Sequence, residues 1–221
     1  MFASTTNWST VSALATASGT LILAIATFAS VRSANRAART AERGFEAGMR
    51  PVLFQSRLQD DPQKIRWGDD HWVRLGGGKA TFEEVDGSIY MAMSLRNVGQ
   101  GIAVVQSWNT GAVPPFDGSR AQWMRPSLEE FRPQSRDLYV PSGDVSFWQA
   151  AVRDRSDKDW SRLHQTLAAR DLMFIDVLYT DHEGDQRTIS RFMISPIGED
   201  EPDWFCNVVR HWNLDRPDPR E

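Results

Sequence analysis

The stretch SIYMAMSLRNVGQGIAVVQSW, residues 88–108, decides the fold of this chain. From Ser88 to Val98 apolar residues alternate with small or polar ones, and this period of two predicts a β-strand with one face in a core. Asn97 to Gly101 predict a turn, and Ile102–Trp108 predicts the returning strand. The stretch therefore indicates an antiparallel β-fold.

Three residues of this turn have structural roles in our interpretation. We expect Asn97 to hydrogen-bond its own turn backbone, and Gly99 and Gly101 to adopt positive φ. Two further glycines, Gly143 in PSGD and Gly184 in DHEGD, are predicted to serve other turns. None of these roles requires a ligand.

Strand patterns continue on both sides of this stretch. A hairpin is predicted over Leu172–Ile194, with Gly184 in its turn. A long loop is expected from Asn109 to Arg136, and residues 216–221 are expected to be disordered. The remaining predicted strands are Pro51–Gln59, His71–Leu75, Leu138–Val140, Val145–Ala151 and Trp204–Trp212.

One helix interrupts the strands. Ser156 or Asp157 can cap a helix over Asp159–Arg170, with Trp160, Leu163 and Leu167 on one face. The predicted fold class is mainly β: an N-terminal transmembrane helix and helical stalk, followed by a two-layer antiparallel, immunoglobulin-like β-sandwich with one inserted helix.

The N-terminal part has a different character. Residues 11–31 contain no charge, and a helix of that length spans about 30 Å, the thickness of the hydrocarbon core of a bilayer. Ala15 and Gly19 form one small-residue pair through which two such helices could associate as a homo-oligomer. The predicted membrane-embedded residues include Val11, Gly19, Leu21, Ile22, Leu23, Ile25, Phe28 and Val31.

An arginine-rich segment follows the apolar one and is predicted to continue the helix. Residues 1–31 contain no Lys or Arg, so the positive-inside rule places the N-terminus outside and the rest of the chain in the cytoplasm, at the inner membrane. These arginines either contact anionic lipid headgroups or only signal topology. The candidate headgroup residues are Arg32, Arg36, Arg39 and Arg43.

The apolar segment fits a membrane span better than it fits a signal peptide, a transit peptide or a core helix. A cleaved signal peptide has its positive charge before a shorter apolar core, a transit peptide is Arg-rich throughout, and a buried core helix has a polar face. We therefore divide the chain into an extracytoplasmic N-terminus (1–10), a transmembrane helix (11–31), a basic juxtamembrane helix (32–50), a β-sandwich domain (51–213) and a tail (214–221).

The net charge and the cysteine content limit the classes of partner and the compartment that we expect for this protein. The whole chain carries −4 and residues 32–50 carry +3, so the remainder carries −7, which argues against nucleic acid as a partner. The single cysteine, Cys206, excludes an intrachain disulfide and agrees with a reducing cytoplasm. Some of the nine tryptophans are candidates for a partner surface.

Three segments resemble a pattern found in bacterial immunoglobulin-like domains, including the cell-adhesion-related kind. They are SLRNVGQGIAVV (94–105), LYVPSGDVSFW (138–148) and DVLYTDHEGDQRTISRFMI (176–194). The layout of span, stalk and sandwich is similar to many uncharacterised bacterial membrane proteins. The resemblance implies a β-sandwich and no particular activity. Adhesion-type domains usually lie outside the cell, whereas the charges here predict the inside.

Motifs that carry chemistry are nearly absent. The GGGK segment at residues 76–79 lacks the other residues of a P-loop and is interpreted as a flexible turn. His164 is interpreted as a structural residue beside Trp160. Cys206 and His211 are five residues apart on a strand, which argues against a nucleophile pair. We expect no catalytic residue, no cofactor and no metal.

Two acidic turns keep an alternative open. Asp69, Asp70 and His71 form one, and Asp181, His182, Glu183 and Asp185 form the other, and together they could build a metal or ligand site. The preferred hypothesis is a membrane-anchored, non-catalytic binding or scaffold module with an unidentified protein partner. The alternative is a membrane-tethered enzyme or sensor whose two turns converge.

Overall fold

A computed structural model describes residues 7–111, 123–198 and 203–216. It divides into two compact units, residues 1–47 and 48–221. Within the described ranges the helices are α1 (Trp8–Gly48) and α2 (Trp160–Ala169), with a short 3-10 turn at Leu128–Glu130, and the strands are β1 (Leu53–Gln55), β2 (Gln63–Arg66), β3 (Trp72–Leu75), β4 (Lys79–Val85), β5 (Ser88–Asn97), β6 (Ala103–Asn109), β7 (Arg132–Val140), β8 (Val145–Val152), β9 (Met173–Thr180), β10 (Thr188–Pro196) and β11 (Trp204–Asn213).

The first unit is one helix. α1 covers the predicted span and most of the predicted stalk without a break, as the run of helix formers and the absence of proline before Pro51 lead one to expect. Its threonine hydroxyls bond back to carbonyls one turn earlier, for example Thr16 to Ser12 at 2.9 Å and Thr27 to Leu23 at 2.8 Å. Such bonds satisfy the hydroxyl donors inside an apolar segment.

The second unit is built on one curled antiparallel sheet, which confirms the mainly β fold class. Among the described residues, nine strands are hydrogen-bonded in the order β8-β5-β4-β11-β10-β9-β6-β7, and β1 pairs with the end of β5 beside β4. The two halves of the sheet face each other across one core, so Trp108 on β6 and Trp148 on β8 meet edge to face at 5.5 Å. The two layers therefore belong to one continuous sheet.

Residues 88–108 form the two predicted strands, but the expectation that the second returns beside the first was wrong. In the described ranges β5 pairs with β1, β4 and β8, whereas β6 pairs with β7 and β9 in the other half of the sheet. Ile89, Met91, Met93 and Leu95 are buried in the main core. The opposite face of β5 is also covered, because Tyr90 and Ala92 pack in a second cluster beneath β2 and β3. β5 is therefore buried on both faces and hydrogen-bonded along both edges, as an interior strand is.

The edges of the curled sheet meet at a seam that side chains bridge. Among the residues that the structure describes, β7 and β8 each pair with one strand, and the Gln134 side-chain amide donates to the Gln149 carbonyl oxygen at 2.9 Å. The sheet therefore curls almost into a barrel but leaves an open line along this seam.

Several predicted boundaries were wrong. β2 and β4 were not predicted, and β7 begins at Arg132, so the loop that was predicted to end at Arg136 ends at Phe131. Within that loop residues 112–122 lie outside the described part, as do residues 217–221 of the predicted tail. Residues 76–79 are a turn, but Gly77 is packed tightly: a Cβ there would lie 1.9 Å from the Arg57 carbonyl oxygen.

α2 packs on the core with the predicted face. Leu163 is fully buried, and Trp160 and Leu167 pack partly buried beside it. The predicted cap was wrong, because the residue before the helix is Asp159 and no side-chain capping bond forms. Asp157 instead accepts hydrogen bonds from Arg132, which is held by Asp159 as well, and this holds the helix N-terminus against β7.

Candidate functional site

The β2–β3 hairpin lies over the outer face of β5 and β8 and presents a basic surface. Its strands alternate, so Ile65 and Leu75 point inward and pack with Trp67, Tyr90 and Ala92. We call the outward-pointing residues of this hairpin the basic hairpin face. They are Lys64, Arg66, Trp72 and Arg74, and all four are exposed.

The strand register brings like charges together on this face. Lys64 lies directly opposite Arg74, and Arg66 lies opposite Trp72. Like charges at directly opposed positions destabilise a hairpin. The indole of Trp72, 45% exposed, offsets part of this repulsion, since the Lys64 ammonium lies 4.3 Å and the Arg66 guanidinium 5.1 Å from its ring centroid.

A groove of about 480 Å³ runs beside this face, between the hairpin and the seam of β7 and β8. Its walls carry three basic side chains, and its floor is apolar with one buried amide. The lining residues are Lys64, Arg66, Trp67, Arg136, Phe147 and Gln149, together with Gly68 and Ser135.

Most of these basic groups have no acidic neighbour. Arg66 pairs with Asp70. For Lys64, Arg74 and Arg136, no carboxylate within the described ranges lies at ion-pair distance. This arrangement is notable in a part of the chain whose net charge is −7, where carboxylates outnumber basic groups.

The first predicted acidic turn anchors the hairpin. The carboxylate of Asp69 accepts a hydrogen bond from the Tyr90 hydroxyl at 2.7 Å and another from Arg153 Nε at 2.8 Å. The guanidinium of Arg153 and the Tyr90 hydroxyl lower the pKa of Asp69 to about 2. His71 stacks on Tyr90 at 4.1 Å and its Nε2 lies 3.0 Å from Glu83. The side chains of Asp69 and His71 are therefore engaged in contacts within the domain.

The second predicted acidic turn closes the β9–β10 hairpin. Asp181 Oδ1 accepts the backbone N–H groups of Gly184, Asp185 and Gln186 at 2.9, 3.0 and 3.2 Å. Gly184 has φ +89°, as its predicted turn role requires. His182 and Glu183 are exposed and lie 3.8 Å apart.

The two acidic turns do not converge. Asp69 contacts Tyr90 near the start of β5, whereas Asp181 follows Thr180, which pairs with Val104 near the turn after the end of β5. Seven residues of strand separate these levels, roughly 23 Å. In the described ranges, no group of three or more His, Cys, Asp or Glu side chains is placed to hold a metal ion.

The predicted Asn97 turn joins three parts of the domain. The Asn97 amide donates to the carbonyl oxygens of Gly101 at 2.6 Å and Val140 at 2.9 Å, and its Oδ1 accepts from Gly99 N at 3.0 Å and Val52 N at 3.1 Å. The side chain is completely buried. The prediction that Asn97 bonds its own turn is therefore confirmed.

Gly99 and Gly101 are needed for a different reason from the one predicted. Neither has positive φ. A Cβ on Gly101 would lie 1.9 Å from the Met49 carbonyl oxygen, and one on Gly99 would lie 2.2 Å from that of Arg50. The glycines allow the backbone that leads into β1 to cross the turn at van der Waals distance. Gly143 has φ +78°, in agreement with its predicted role.

α1 provides a candidate membrane surface. Trp8–Glu42 is long and apolar enough to cross a bilayer, with mean hydropathy 1.8, and none of its most apolar window is buried. The predicted span residues Val11, Gly19, Leu21, Ile22, Leu23, Ile25, Phe28 and Val31 are all exposed. Arg32, Arg36 and Arg39 are exposed too, and the side chain of Arg43 lies outside the described part.

The cysteine and the remaining histidines have structural contacts. Cys206 is buried beside Met93, and burial raises the pKa of its thiol. His211 Nδ1 lies 2.7 Å from Ser190 Oγ, but Ser190 is fully buried under Tyr179 and is not accessible to a substrate. His164 stacks on Trp160 and lies 2.6 Å from Glu84.

The basic hairpin face was missed in the sequence. Lysine and arginine alternate with buried residues in QKIR and WVRL, and this pattern gives each strand one basic side. β2 was not predicted, so its basic side could not be paired with that of β3.

Compared with models of known protein families and with curated protein sequences, the chain gives no match.

Proposed function

We propose that this protein is a membrane-anchored, non-catalytic binding module that presents its β domain to a protein partner at the cytoplasmic side of the membrane. The observation that carries this proposal is the basic hairpin face: exposed basic side chains around a tryptophan, of which Lys64 and Arg74 have no ion-pair partner in the described ranges, in a chain whose N-terminal helix is exposed and apolar. Aromatic and arginine side chains are enriched at protein interfaces.

Membrane anchoring is supported by the length and composition of α1. The 35 residues Trp8–Glu42 extend roughly 50 Å, more than the hydrocarbon core of a bilayer requires. A core helix would be buried on at least one face, and this one is not. A signal sequence would have its positive charge before the apolar run, whereas Arg32, Arg36 and Arg39 follow it.

The proposed orientation has the N-terminus outside and the β domain in the cytoplasm, with the membrane being the inner membrane of a bacterium. It is supported by the arginines after the span and by their absence before it. The free, buried Cys206 is compatible with a reducing compartment.

The alternative of an enzyme or metal sensor has weaker support. It required the acidic turns at Asp69 and Asp181 to converge, and they lie at different levels of the sheet. In addition, the Asp69 and Asp181 carboxylates are occupied by hydrogen bonds within the domain. We also propose that the β domain is immunoglobulin-like, and the curled antiparallel sheet is compatible with this.

Partner capture tests the binding function. Tagged full-length protein is purified in mild detergent, and co-purifying proteins are compared by mass spectrometry between the parent and K64E/R74E. A K158E/R187E variant is the matched control, because it changes the same charge at exposed positions outside the groove. We expect a partner that the first variant loses and the control retains. Identical partner sets for all three proteins would contradict the proposal.

A further inference from the structure

We propose that the basic hairpin face and its groove bind an extended, Asp/Glu-rich segment of a partner protein. This inference rests on the proposed binding function and names the class of its partner. Two features of the described residues together specify the occupant: basic side chains along the rim that have no ion-pair partner there, and a hydrogen-bond acceptor in the floor that has no donor there.

The basic side chains along the rim of the groove favour a partner that carries carboxylates. Lys64 and Arg74 repel each other across the hairpin, and Arg136 faces Lys64 and Arg66 over the groove without a carboxylate neighbour in the described ranges. An acidic side chain lying between two such cations relieves their repulsion and forms charge-assisted hydrogen bonds. Residues 51–221 carry a net charge of −7, so the basic hairpin face differs from the average charge of this part of the chain and attracts an acidic segment.

The floor of the groove favours a peptide as the occupant. Gln149 is 9% exposed and lines the groove, and its Nε2 donates to the Arg66 carbonyl oxygen at 3.4 Å, which orients the amide. Its Oε1 is buried and meets no donor in the described part of the chain. A rotation of the Gln149 side chain toward the groove would bring this buried oxygen within reach of a peptide N–H, which can donate to it, whereas a phosphate or carboxylate group has only acceptors to offer. Phe147 and Trp67 supply apolar contact for one side chain of such a peptide.

The shape of the site also favours an extended chain. The groove follows the seam where, in the described ranges, β7 and β8 each lack a second hydrogen-bonded strand. Edge backbone groups that Gln134 and Trp67 do not occupy can pair there with an added strand. A bilayer surface is flat, and it would meet the many carboxylates of this domain along with the basic face. Anionic lipid is therefore the competing occupant that the experiment must separate.

Peptide binding to the full chain tests the inference. The protein is held in nanodiscs of neutral phosphatidylcholine, and a fluorescein-labelled twelve-residue peptide of alternating Glu and Leu is titrated, with binding followed by anisotropy. We expect saturable binding that weakens as salt is raised from 50 to about 500 mM. K64E/R74E should weaken it at least about tenfold, and K158E/R187E less than about threefold.

A second variant examines the floor. Gln149→Met keeps the side-chain length and removes the acceptor, and we expect weaker peptide binding with an unchanged thermal unfolding midpoint.

To test for lipid binding, the parent protein in the same nanodiscs is also mixed with vesicles containing phosphatidylserine.

The outcomes separate the two proposals. Equal peptide affinity for the parent and K64E/R74E overturns the inference, as does vesicle binding without peptide binding. Self-association that K64E/R74E abolishes overturns it too, because the occupant is then a second copy. If the parent captures a partner that K64E/R74E loses but binds no acidic peptide, the proposed function stands and the acidic-segment inference fails.

Discussion

At the scale of single residues, Asn97 and the two glycines after it determine how the chain begins its β domain. The Asn97 side chain uses both amide hydrogens and both lone pairs of its oxygen on four backbone groups. These groups come from three separate segments, and removing the amide would take this partner from two buried carbonyl groups and two partly buried N–H groups. Each such loss costs about 1 to 3 kcal/mol.

Adding a methyl group to a glycine should destabilise the fold by different amounts, depending on whether the glycine is needed for close approach of the backbone or for positive φ. Gly101→Ala places a methyl group against the Met49 backbone carbonyl, so the entering chain must move, and we expect a loss of about 3 kcal/mol. Gly143→Ala meets no atom within 4 Å and suffers only the strain of φ +78°, about 1 kcal/mol. Urea unfolding of both full-length variants in detergent measures the difference.

The order of these two losses is the critical result. A larger loss for Gly143→Ala than for Gly101→Ala would show that backbone conformation, not close approach, selects glycine in the Asn97 turn. Gly19→Ala is the control, since no atom of the described structure lies within 4 Å of its added methyl group. The free energy of unfolding of the β domain should be the same as in the parent.

At the scale of elements, the β2–β3 hairpin depends on Asp69 for its position on the sheet. The folded-state pKa of Asp69, about 2, lies below the value of about 3.9 that is usual for an unfolded chain. The ionised carboxylate therefore stabilises the fold fully above pH 4 to 5, and this contribution is lost as pH falls through 2. Because the side chain is 35% exposed, solvent screens part of the effect.

Acid titration of Asp69→Asn tests this attachment. The free energy of unfolding of the variant should fall below that of the parent at pH 6, and the gap should close as pH approaches 2. Tryptophan fluorescence in urea, repeated at each pH, gives both values. Asp61→Asn changes an exposed carboxylate without an ion pair in the described ranges, and should stay within about 0.5 kcal/mol of the parent. A gap for Asp69→Asn that is constant with pH would contradict the assignment.

The individual strands differ in how well the sequence predicts them. The strands with a clear period of two, such as Ser88–Val98 and Val145–Ala151, were placed within about a residue of their observed bounds. β4 was missed although Asp86 and Gly87, with φ +51° and +77°, form the two-residue turn that Asp-Gly predicts. β2 was missed because four residues with one buried side chain carry almost no periodic signal.

The candidate site was less predictable than the fold for a physical reason. The basic character of Lys64, Arg66 and Arg74 is visible in the sequence, but their shared face depends on the register of β2 against β3. Arg136 joins them only because the sheet curls and brings β7 beside β8. Such long-range proximity leaves no local pattern. Conversely, the acidic turns were conspicuous in the sequence, yet their carboxylates are used within their own hairpins.

At the scale of the whole molecule, the distribution of arginine should determine which side of the membrane the β domain occupies. Cys206 makes this measurable, because it is buried and burial raises the pKa of its thiol, so the parent reacts slowly with maleimides. Single cysteines introduced as Ser4→Cys or Glu221→Cys then report the location of each end. With a membrane-impermeant maleimide on intact bacterial cells, we expect labelling of Ser4→Cys and protection of Glu221→Cys.

Moving the charges should invert this result. Arg32, Arg36, Arg39 and Arg43 are replaced by glutamine, which retains helix propensity, and three arginines are inserted after Met1. Arg50 is then the one basic residue left in residues 32–50, and the balance of positive charge shifts to the N-terminal side. Glu221→Cys should therefore become reactive in most molecules and Ser4→Cys protected. Lysine at the same four positions is the control and should keep the parent orientation, since the rule counts charge and not side-chain shape. If Glu221→Cys stays protected after the exchange, the arginines do not set the topology. Reactive Glu221→Cys in the parent would place the β domain outside, and the acidic partner would then have to be sought there.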